Sequence, residues 1–215
     1  MKKLLVIFLG TGLIVLLAWV IASSSIHPIS NSGSTIASVA NWASQATTVA
    51  DEVAEANLVV HTKVTKVNPS RKLKQVGPRY TFSGKVDENG VNIMPFTDSE
   101  MAVLSVYKGS AEQRITVMQT GGALPAADGD PSMNLRTPDD PLFIEGSEYI
   151  LFLVDISDDS IHAQGRKLYR AVNPAGRYEI RGTTVFSPAE FPPSFKPPKT
   201  LDELLRQIRQ AIAHP

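Results

Sequence analysis

The sequence YILFLV, at residues 149–154, decides the fold of this chain. All of its side chains are apolar, and the aromatic and β-branched ones among them favour a strand. Because polar residues do not alternate with the apolar ones, both faces of that strand must be covered by other parts of the chain. We therefore predict a central strand that is buried on both sides.

Segments on either side of this strand complete a β domain. Leu58–Val67 begins apolar and then alternates, which predicts a strand with one wet face. The segment 168–181 contains the turn sequence NPAG and is expected to form a hairpin. Further strands are predicted at residues 101–107, 115–119 and 183–186. This many strands without interleaved helices indicate a small barrel or a sandwich.

Two helices flank the predicted β domain. Residues 47–56 are rich in alanine and place valines at helical spacing. Near the C-terminus, Thr200 and Glu203 have the spacing of a capping box. The helix that follows carries one apolar stripe, made of Leu201, Leu204, Leu205, Ile208 and Ile212. We expect this helix to pack on the barrel, with a free helix that binds a partner as the alternative.

The N-terminal residues predict the cellular compartment of the protein. Lys2 and Lys3 precede an uncharged, mostly apolar run at residues 4–22. As a helix this run would be about 28 Å long, close to the thickness of the hydrocarbon core of a bilayer. The positive-inside rule keeps the two lysines in the cytoplasm and sends the rest of the chain across the membrane. We predict a retained single-pass anchor, with a secreted protein cleaved near Ala22 as the alternative.

These segments divide the chain into four parts. Residues 1–22 form the transmembrane anchor or signal segment, and residues 23–46 form a Ser/Ala-rich tether. Residues 47–191 form the β-barrel domain. Residues 192–215 contain a Pro-rich connector and the C-terminal helix. The predicted working part is therefore the extracytoplasmic C-terminal domain.

Composition excludes several kinds of chemistry. The chain has no cysteine, which excludes disulfide scaffolds, cysteine zinc sites, iron–sulfur clusters and thiol catalysis. Its 21 basic residues equal its 21 acidic residues, which argues against a nucleic-acid partner. Its four histidines, His27, His61, His162 and His214, lack metal-ligand spacing. With no nucleophile elbow or phosphate-binding glycine loop, we expect no catalysis and no cofactor.

Acidic residues offer one possible metal site. Asp128, Asp130, Asp139 and Asp140 lie in a segment rich in glycine and proline, and their carboxylates are suitable ligands for Ca²⁺. They do not follow the twelve-residue calcium-loop pattern, and such residues also serve to turn the chain. A metal-binding hydrolase- or protease-related factor that uses the carboxylates of residues 128–159 is therefore the alternative function.

The zero net charge conceals an uneven distribution. Residues 63–85 contain seven basic side chains and no acidic one, whereas residues 128–159 are strongly acidic. The candidate polyanion-binding residues of the basic segment are Lys63, Lys66, Arg71, Lys72, Lys74, Arg79 and Tyr80. Outside a cell, an anionic envelope polymer or a lipid head group is the expected polyanion. The alternative is that the two segments pair with each other or are simply solvated.

Short motifs along the chain resemble a known family. They are Ala56-Asn57-Leu58-Val59-Val60, Val106-Tyr107-Lys108-Gly109, Thr120-Gly121-Gly122, residues 146–153 and Gly176-Arg177-Tyr178. Their order is similar to that in uncharacterised bacterial membrane-anchored proteins. The domain of those proteins resembles the OB-like barrel of tissue inhibitors of metalloproteinases and netrin modules. The resemblance covers roughly residues 47–214 and implies a barrel of five or six strands flanked by helices.

The same resemblance implies little about activity. Those inhibitors reach a catalytic zinc through an N-terminal cysteine, which this chain lacks. We therefore predict a mainly β protein with a small OB-like barrel, a short N-terminal helix, a C-terminal amphipathic helix and one transmembrane helix. The predicted function is that of an extracytoplasmic, membrane-anchored binding module. Its predicted partner is an anionic envelope polymer, a lipid head group or another protein.

Overall fold

The computed structural model describes residues 34–37, 46–76, 79–80, 86–87, 91–126, 133–189 and 196–215. All of them belong to one compact unit, Gly33–Pro215. The helices are α1 (Val49–Glu55), a 3₁₀ turn η1 (Pro174–Gly176) and α2 (Leu201–Ala213). The strands are β1 (Ser34–Ala37), β2 (Leu58–Val67), β3 (Arg71–Val76), β4 (Arg79–Tyr80), β5 (Val86–Asp87), β6 (Val91–Lys108), β7 (Arg114–Thr120), β8 (Gly122–Leu124), β9 (Met133–Arg136), β10 (Glu148–Asp155), β11 (Tyr169–Ala171), β12 (Arg177–Arg181) and β13 (Thr184–Phe186).

Five strands close into a barrel, as the sequence predicted. Going round the barrel, β2 pairs with β6, β6 with β7, β7 with β11, β11 with β10, and β10 again with β2. The β7–β11 pair is parallel and short, joining Tyr169 to Val117 and Arg170 to Met118, whereas the other four pairs are antiparallel. Closure removes the free edges of these strands from solvent.

The central strand β10 is buried on both sides, which confirms the prediction from YILFLV. Tyr149, Leu151 and Leu153 belong to a core cluster with residues of β2, β6 and β7, inside the barrel. Ile150 and Phe152 belong to a second cluster, which includes residues of the two helices. The two clusters lie on opposite faces because side chains alternate along a strand.

The hairpin predicted at residues 168–181 is wrong. β11 pairs with Leu153–Asp155 at one end of β10, and β12 pairs with Glu148–Leu151 at its other end. The two strands therefore run in the same direction along one edge of β10, and η1 interrupts them. The sequence around Pro174 does form a turn, the 3₁₀ turn η1. This turn lies between two strands on the same edge of β10 and does not reverse the direction of the chain.

Both helices form where the sequence predicts them. The Thr48 hydroxyl caps α1 by accepting a hydrogen bond from the backbone N–H of Asp51, whose carboxylate binds the Thr48 N–H in return. At α2 the Thr200 hydroxyl accepts from the N–H of Glu203, but the Glu203 carboxylate binds the N–H of Lys199, so the predicted capping box is only half formed.

Both helices cover the outer face of the barrel. Val49 and Val53 of α1 and Leu204 and Ile208 of α2 are buried in the same cluster as Phe152. The prediction that α2 packs on the barrel is confirmed, because Leu204 and Ile208 are 0% exposed. We estimate that burying one such side chain contributes about 1.5–3 kcal/mol.

The basic segment contains the end of β2, as predicted, and the additional strand β3. β3 continues β2 past a break at residues 68–70 and pairs along the first half of β6. β1 lies within the predicted tether and pairs in parallel with β9. No helix among the described residues is long and apolar enough to span a membrane. The predicted anchor at residues 4–22 lies outside the described residues.

Candidate functional site

A cleft of about 290 Å³ lies over strands β6, β7 and β11. We call it the β6–β7 cleft. Met94, Phe96, Met118 and Ile156 supply apolar walls. The polar side chains that line it are those of Gln119, Thr120, Asp140, Asp159, His162 and Arg170. An apolar hollow with a few converging polar groups is the usual form of a binding site.

A small hydrophobic cluster supports one wall of the cleft. Leu73 of β3, Phe96 of β6 and Met118 of β7 pack with Ala163 and Leu168 from the segment that joins β10 to β11. This segment, residues 156–168, is the β10–β11 loop. Since all five of these residues are buried, the loop is held on the sheet by apolar contacts.

Asp98 ties the β10–β11 loop to the sheet by charge. Its carboxylate is buried and receives hydrogen bonds from Arg71 Nε at 2.8 Å and from Arg166 Nη1 at 2.9 Å. Arg71 also donates from Nη2 to the carbonyl of His162 at 2.8 Å. One carboxylate thus holds two guanidinium groups, one from β3 and one from the loop. Because Asp98 binds arginines from both elements, these hydrogen bonds hold β3 and the β10–β11 loop together.

His162 and Asp159 form the rim of the cleft at this loop. Asp159 Oδ2 lies 2.6 Å from His162 Nδ1, and Asp159 Oδ1 accepts from the backbone N–H groups of Ile161 and His162. These hydrogen bonds, first that of the His162 N–H, hold the pKa of Asp159 below its usual range. The imidazole also contacts the edge of the Phe96 ring, at 5.1 Å between centroids. The ring of His162 is therefore held in a defined orientation.

A second buried ion pair lies at the opposite wall. Arg177 Nη1 donates to Asp140 Oδ1 at 2.7 Å, and Gln119 Nε2 donates to the same oxygen at 2.9 Å. The guanidinium lies over the rings of Phe143 and Tyr149, 4.3 Å and 5.3 Å from their centroids. Burial raises the pKa of Asp140, and the charge of Arg177 opposes this shift. This network fixes the segment 137–143 across the barrel.

The structure separates the predicted polyanion-binding residues. Arg71 and Leu73 share one face of β3, where Leu73 is buried and Arg71 is bound to Asp98. Lys72 and Lys74 are exposed and, by strand alternation, lie on the opposite face. Arg79 and Tyr80 lie in β4, which pairs with β5. Arg71 therefore lies on a different face of β3 from Lys72 and Lys74.

Lys63 and Lys66 each lie near an acid. Lys63 Nζ is 3.7 Å from Glu148, and Lys66 Nζ is 3.7 Å from Glu100. His61 Nε2 lies 3.0 Å from the same Glu148 carboxylate. The two lysine contacts of 3.7 Å, which join half-exposed side chains, contribute little stability in water. The Lys63–Glu148 contact joins the basic segment to the acidic one, as one of the sequence alternatives expected.

The predicted metal ligands are not brought together in the described part of the chain. Asp140 is buried and bound to Arg177, and Asp139 beside it is half-buried. Asp128 and Asp130 lie outside the described residues. Among the described residues, no group of three or more His, Cys, Asp or Glu side chains is arranged to hold a metal ion.

Sequence reasoning missed several residues of the cleft. Asp98 was not considered, because the first half of β6 was not recognised as a strand. Arg166 contacts Asp98, which is 68 residues away in the sequence, and no local sequence pattern predicts such a pair. His162 was noted only as a loop histidine without metal-ligand spacing. The signal in the sequence for this face is the spacing of Met94 and Phe96, which places two apolar side chains on the same side of a strand.

Comparisons with known proteins add no further assignment. No protein-family model matches the chain, and no curated protein is similar to it at a significant level.

Proposed function

We propose that this chain is a non-catalytic binding module which takes an anionic ligand of the cell envelope into the β6–β7 cleft. The observation that carries this proposal is the cleft itself, with apolar walls and guanidinium groups beside them. Arg170 lines it and is exposed, and the side chain of Arg166 is 46% exposed next to Asp98. A planar guanidinium suits phosphate or carboxylate groups.

The proposed fold is an OB-like barrel, as the family resemblance implies. The strand order β2–β6–β7–β11–β10, with a parallel pair between the third and last strands along the chain, supports it. OB-like barrels bind ligands on their second and third strands, beside the loops after the first and fourth. In this chain those strands are β6 and β7, and the loop after the fourth strand is the β10–β11 loop. The cleft lies at that place.

The proposed ligand combines an apolar portion with a negative charge. Met94, Phe96 and Met118 offer apolar contacts, while Arg170 offers a charge. A volume of about 290 Å³ is at the lower limit for a drug-sized ligand, so it suits one group of a larger molecule. Phospholipid has both features, since its charged head group is attached to acyl chains. An anionic wall polymer shares only the charge.

The proposed location is the extracytoplasmic face of the membrane. Lys2, Lys3 and the apolar run at residues 4–22 support a single-pass anchor with a cytoplasmic N-terminus. A domain held there would meet lipid head groups and envelope polymers at high local concentration. The alternative of a metal-dependent hydrolase has no supporting observation in the described residues.

The test uses the full chain in neutral phosphatidylcholine nanodiscs. We expect soluble dihexanoyl phosphatidylglycerol to bind, and dihexanoyl phosphatidylcholine and free glycerol phosphate to bind at least about tenfold more weakly. If glycerol phosphate bound as tightly as the lipid, the ligand would be an anionic polymer and not a phospholipid. Calorimetric titration measures all three.

Charge reversal locates the site. Arg170→Glu should weaken the binding of the anionic lipid by about tenfold or more, since it replaces an attractive charge by a repulsive one. Arg114→Glu is the matched control, because Arg114 is also an exposed arginine but lies at the far end of β7. Equal losses in the two variants would contradict a site in the cleft.

A further inference from the structure

Glu52 is a buried acid outside the cleft. It lies on α1 between Val49 and Val53, on the face that packs against the barrel, and is 1% exposed. Its surroundings are the cluster that contains Phe152 and Ile208. Neither carboxyl oxygen makes a hydrogen bond of good geometry. A buried polar group without such a partner is rare and calls for an explanation.

The carboxyl group faces η1, the turn that interrupts the edge of β10. A Cβ atom built on Gly176 would lie 2.5 Å from Glu52 Oε2, so η1 approaches this closely only because it has glycine there. Asn173, which caps η1, donates from Nδ2 to the carbonyl of Ala46 at 2.9 Å. Glu52 and the Asn173–Ala46 hydrogen bond therefore join the same two elements, the start of the α1 segment and η1.

The charged neighbours of Glu52 do not compensate its charge. Burial raises the pKa of Glu52 to about 8; the amide of Asn173 opposes this shift, and Glu55 and Asp51 on the same helix add to it. From β12, Tyr178 faces it with a pKa raised first by burial and then by Glu52 itself. The other ionisable groups at this interface are Lys108 of β6, which donates to the Val53 carbonyl, and the pair of Tyr107 and Arg209 from β6 and α2.

Ionisation of Glu52 in this position is costly. A carboxylate in apolar surroundings, with only the amide of Asn173 beside it, loses most of its solvation. α1 is a short helix at the edge of the domain, so moving it away exposes far less apolar surface than unfolding the barrel. The first response to an ionised Glu52 is therefore local movement of α1.

We propose that α1 is a proton-controlled latch: it is docked on η1 while Glu52 is protonated and undocks when Glu52 ionises. Undocking breaks the Asn173–Ala46 hydrogen bond and separates α1 from η1. The latch is independent of what the cleft binds. It makes the docking of α1 on the barrel dependent on the pH of the surrounding solution.

Single-cysteine variants of the full chain test the latch, since the chain has no cysteine of its own. Val53→Cys places a thiol on the buried face of α1, and Leu151→Cys places one inside the barrel. Labelling rates are divided by those of the unfolded variant at the same pH, which removes the effect of thiol ionisation. Between about pH 6 and pH 10, we expect the corrected rate to rise at least about tenfold for Val53→Cys, and at every pH in this range we expect it to be at least about tenfold slower for Leu151→Cys than for Val53→Cys.

Two glutamine substitutions distinguish the latch from a general effect of pH on labelling. Glu52→Gln in the Val53→Cys background should make the corrected rate independent of pH, whereas Glu55→Gln, at an exposed glutamate of the same helix, should leave the rise unchanged. A rise that persists in Glu52→Gln would overturn the proposal. Equal corrected rates for Leu151→Cys and Val53→Cys would also overturn it, because the whole barrel would then be opening together with α1.

Discussion

The buried carboxylates of the cleft and the buried carboxylate of α1 are held in opposite ways. Asp98 and Asp140 each accept hydrogen bonds from arginines at 2.7–2.9 Å. Glu52 is buried as deeply but faces a glycine, an amide and a tyrosine. An acid that binds an arginine is held in place by charge-assisted hydrogen bonds, whereas burial of Glu52 favours its protonated form. The difference assigns a fixed frame to the cleft and a movable part to α1.

The largest loss of stability is expected when Asp140 is removed from its buried ion pair with Arg177. Asp140→Ala leaves Arg177, which is 4% exposed, without a counter-charge, so we expect a loss of about 3–5 kcal/mol of unfolding free energy. Denaturant unfolding measures it. Asp158→Ala, at an exposed acid, is the control and should stay within about 0.5 kcal/mol of the original chain. Similar losses in the two variants would refute the role of the pair.

A smaller loss is expected at Asp98, because its arginines retain access to water. Asp98→Asn weakens the joint between β3 and the β10–β11 loop, with a loss of about 2 kcal/mol. Asp98→Asn should accelerate amide hydrogen exchange in residues 156–168 more than in β10. Glu100→Gln, which removes only the 3.7 Å contact with Lys66, should leave exchange in the loop unchanged. Unchanged exchange in Asp98→Asn would show that apolar contacts alone hold the loop.

The stability that Glu52 contributes should depend on pH. The pKa of Glu52 is raised in the folded state, so its contribution to stability is complete below about pH 4.5 and is lost as the pH rises to about 8. Over that range Glu52→Gln should remove a fall in unfolding free energy of up to about 1.4 kcal/mol per pH unit. Thermal unfolding across this range measures it, and a slope that Glu52→Gln leaves unchanged would contradict the account.

The smallest effect is expected on the outer face of β3. Lys74→Gln should change the unfolding free energy by less than about 0.5 kcal/mol, whereas Arg71→Gln on the other face should cost about 2 kcal/mol. Binding of the anionic lipid should also be unaffected by Lys74→Gln. If Lys74→Gln weakened that binding as much as Arg170→Glu, the basic segment predicted from the sequence would be the site in place of the cleft.

Local patterns predicted most elements, and long-range pairing decided the rest. The apolar run 149–154 and the alternation of Leu58–Val67 predicted their strands, because burial on one or both faces is written in the residues themselves. The pairing of β12 with β10 has no such signal, and a good turn sequence at Pro174 favoured the wrong partner. Strand alternation would have separated Arg71 from Lys72 had β3 been recognised, but at residues 71–74, where the structure describes its side chains, Leu73 is the only buried apolar residue.

The most direct measurement is the titration of the Glu52 carboxyl group in the full chain, followed by the NMR signal of its side-chain carbonyl carbon. The account predicts a pKa near 8, because the group is buried between α1 and η1 without an opposing positive charge. The signal at Val53 should change over the same pH range as α1 undocks. A pKa near 4.5, the ordinary value for glutamate, would contradict the account, since Glu52 would then be ionised in a docked helix.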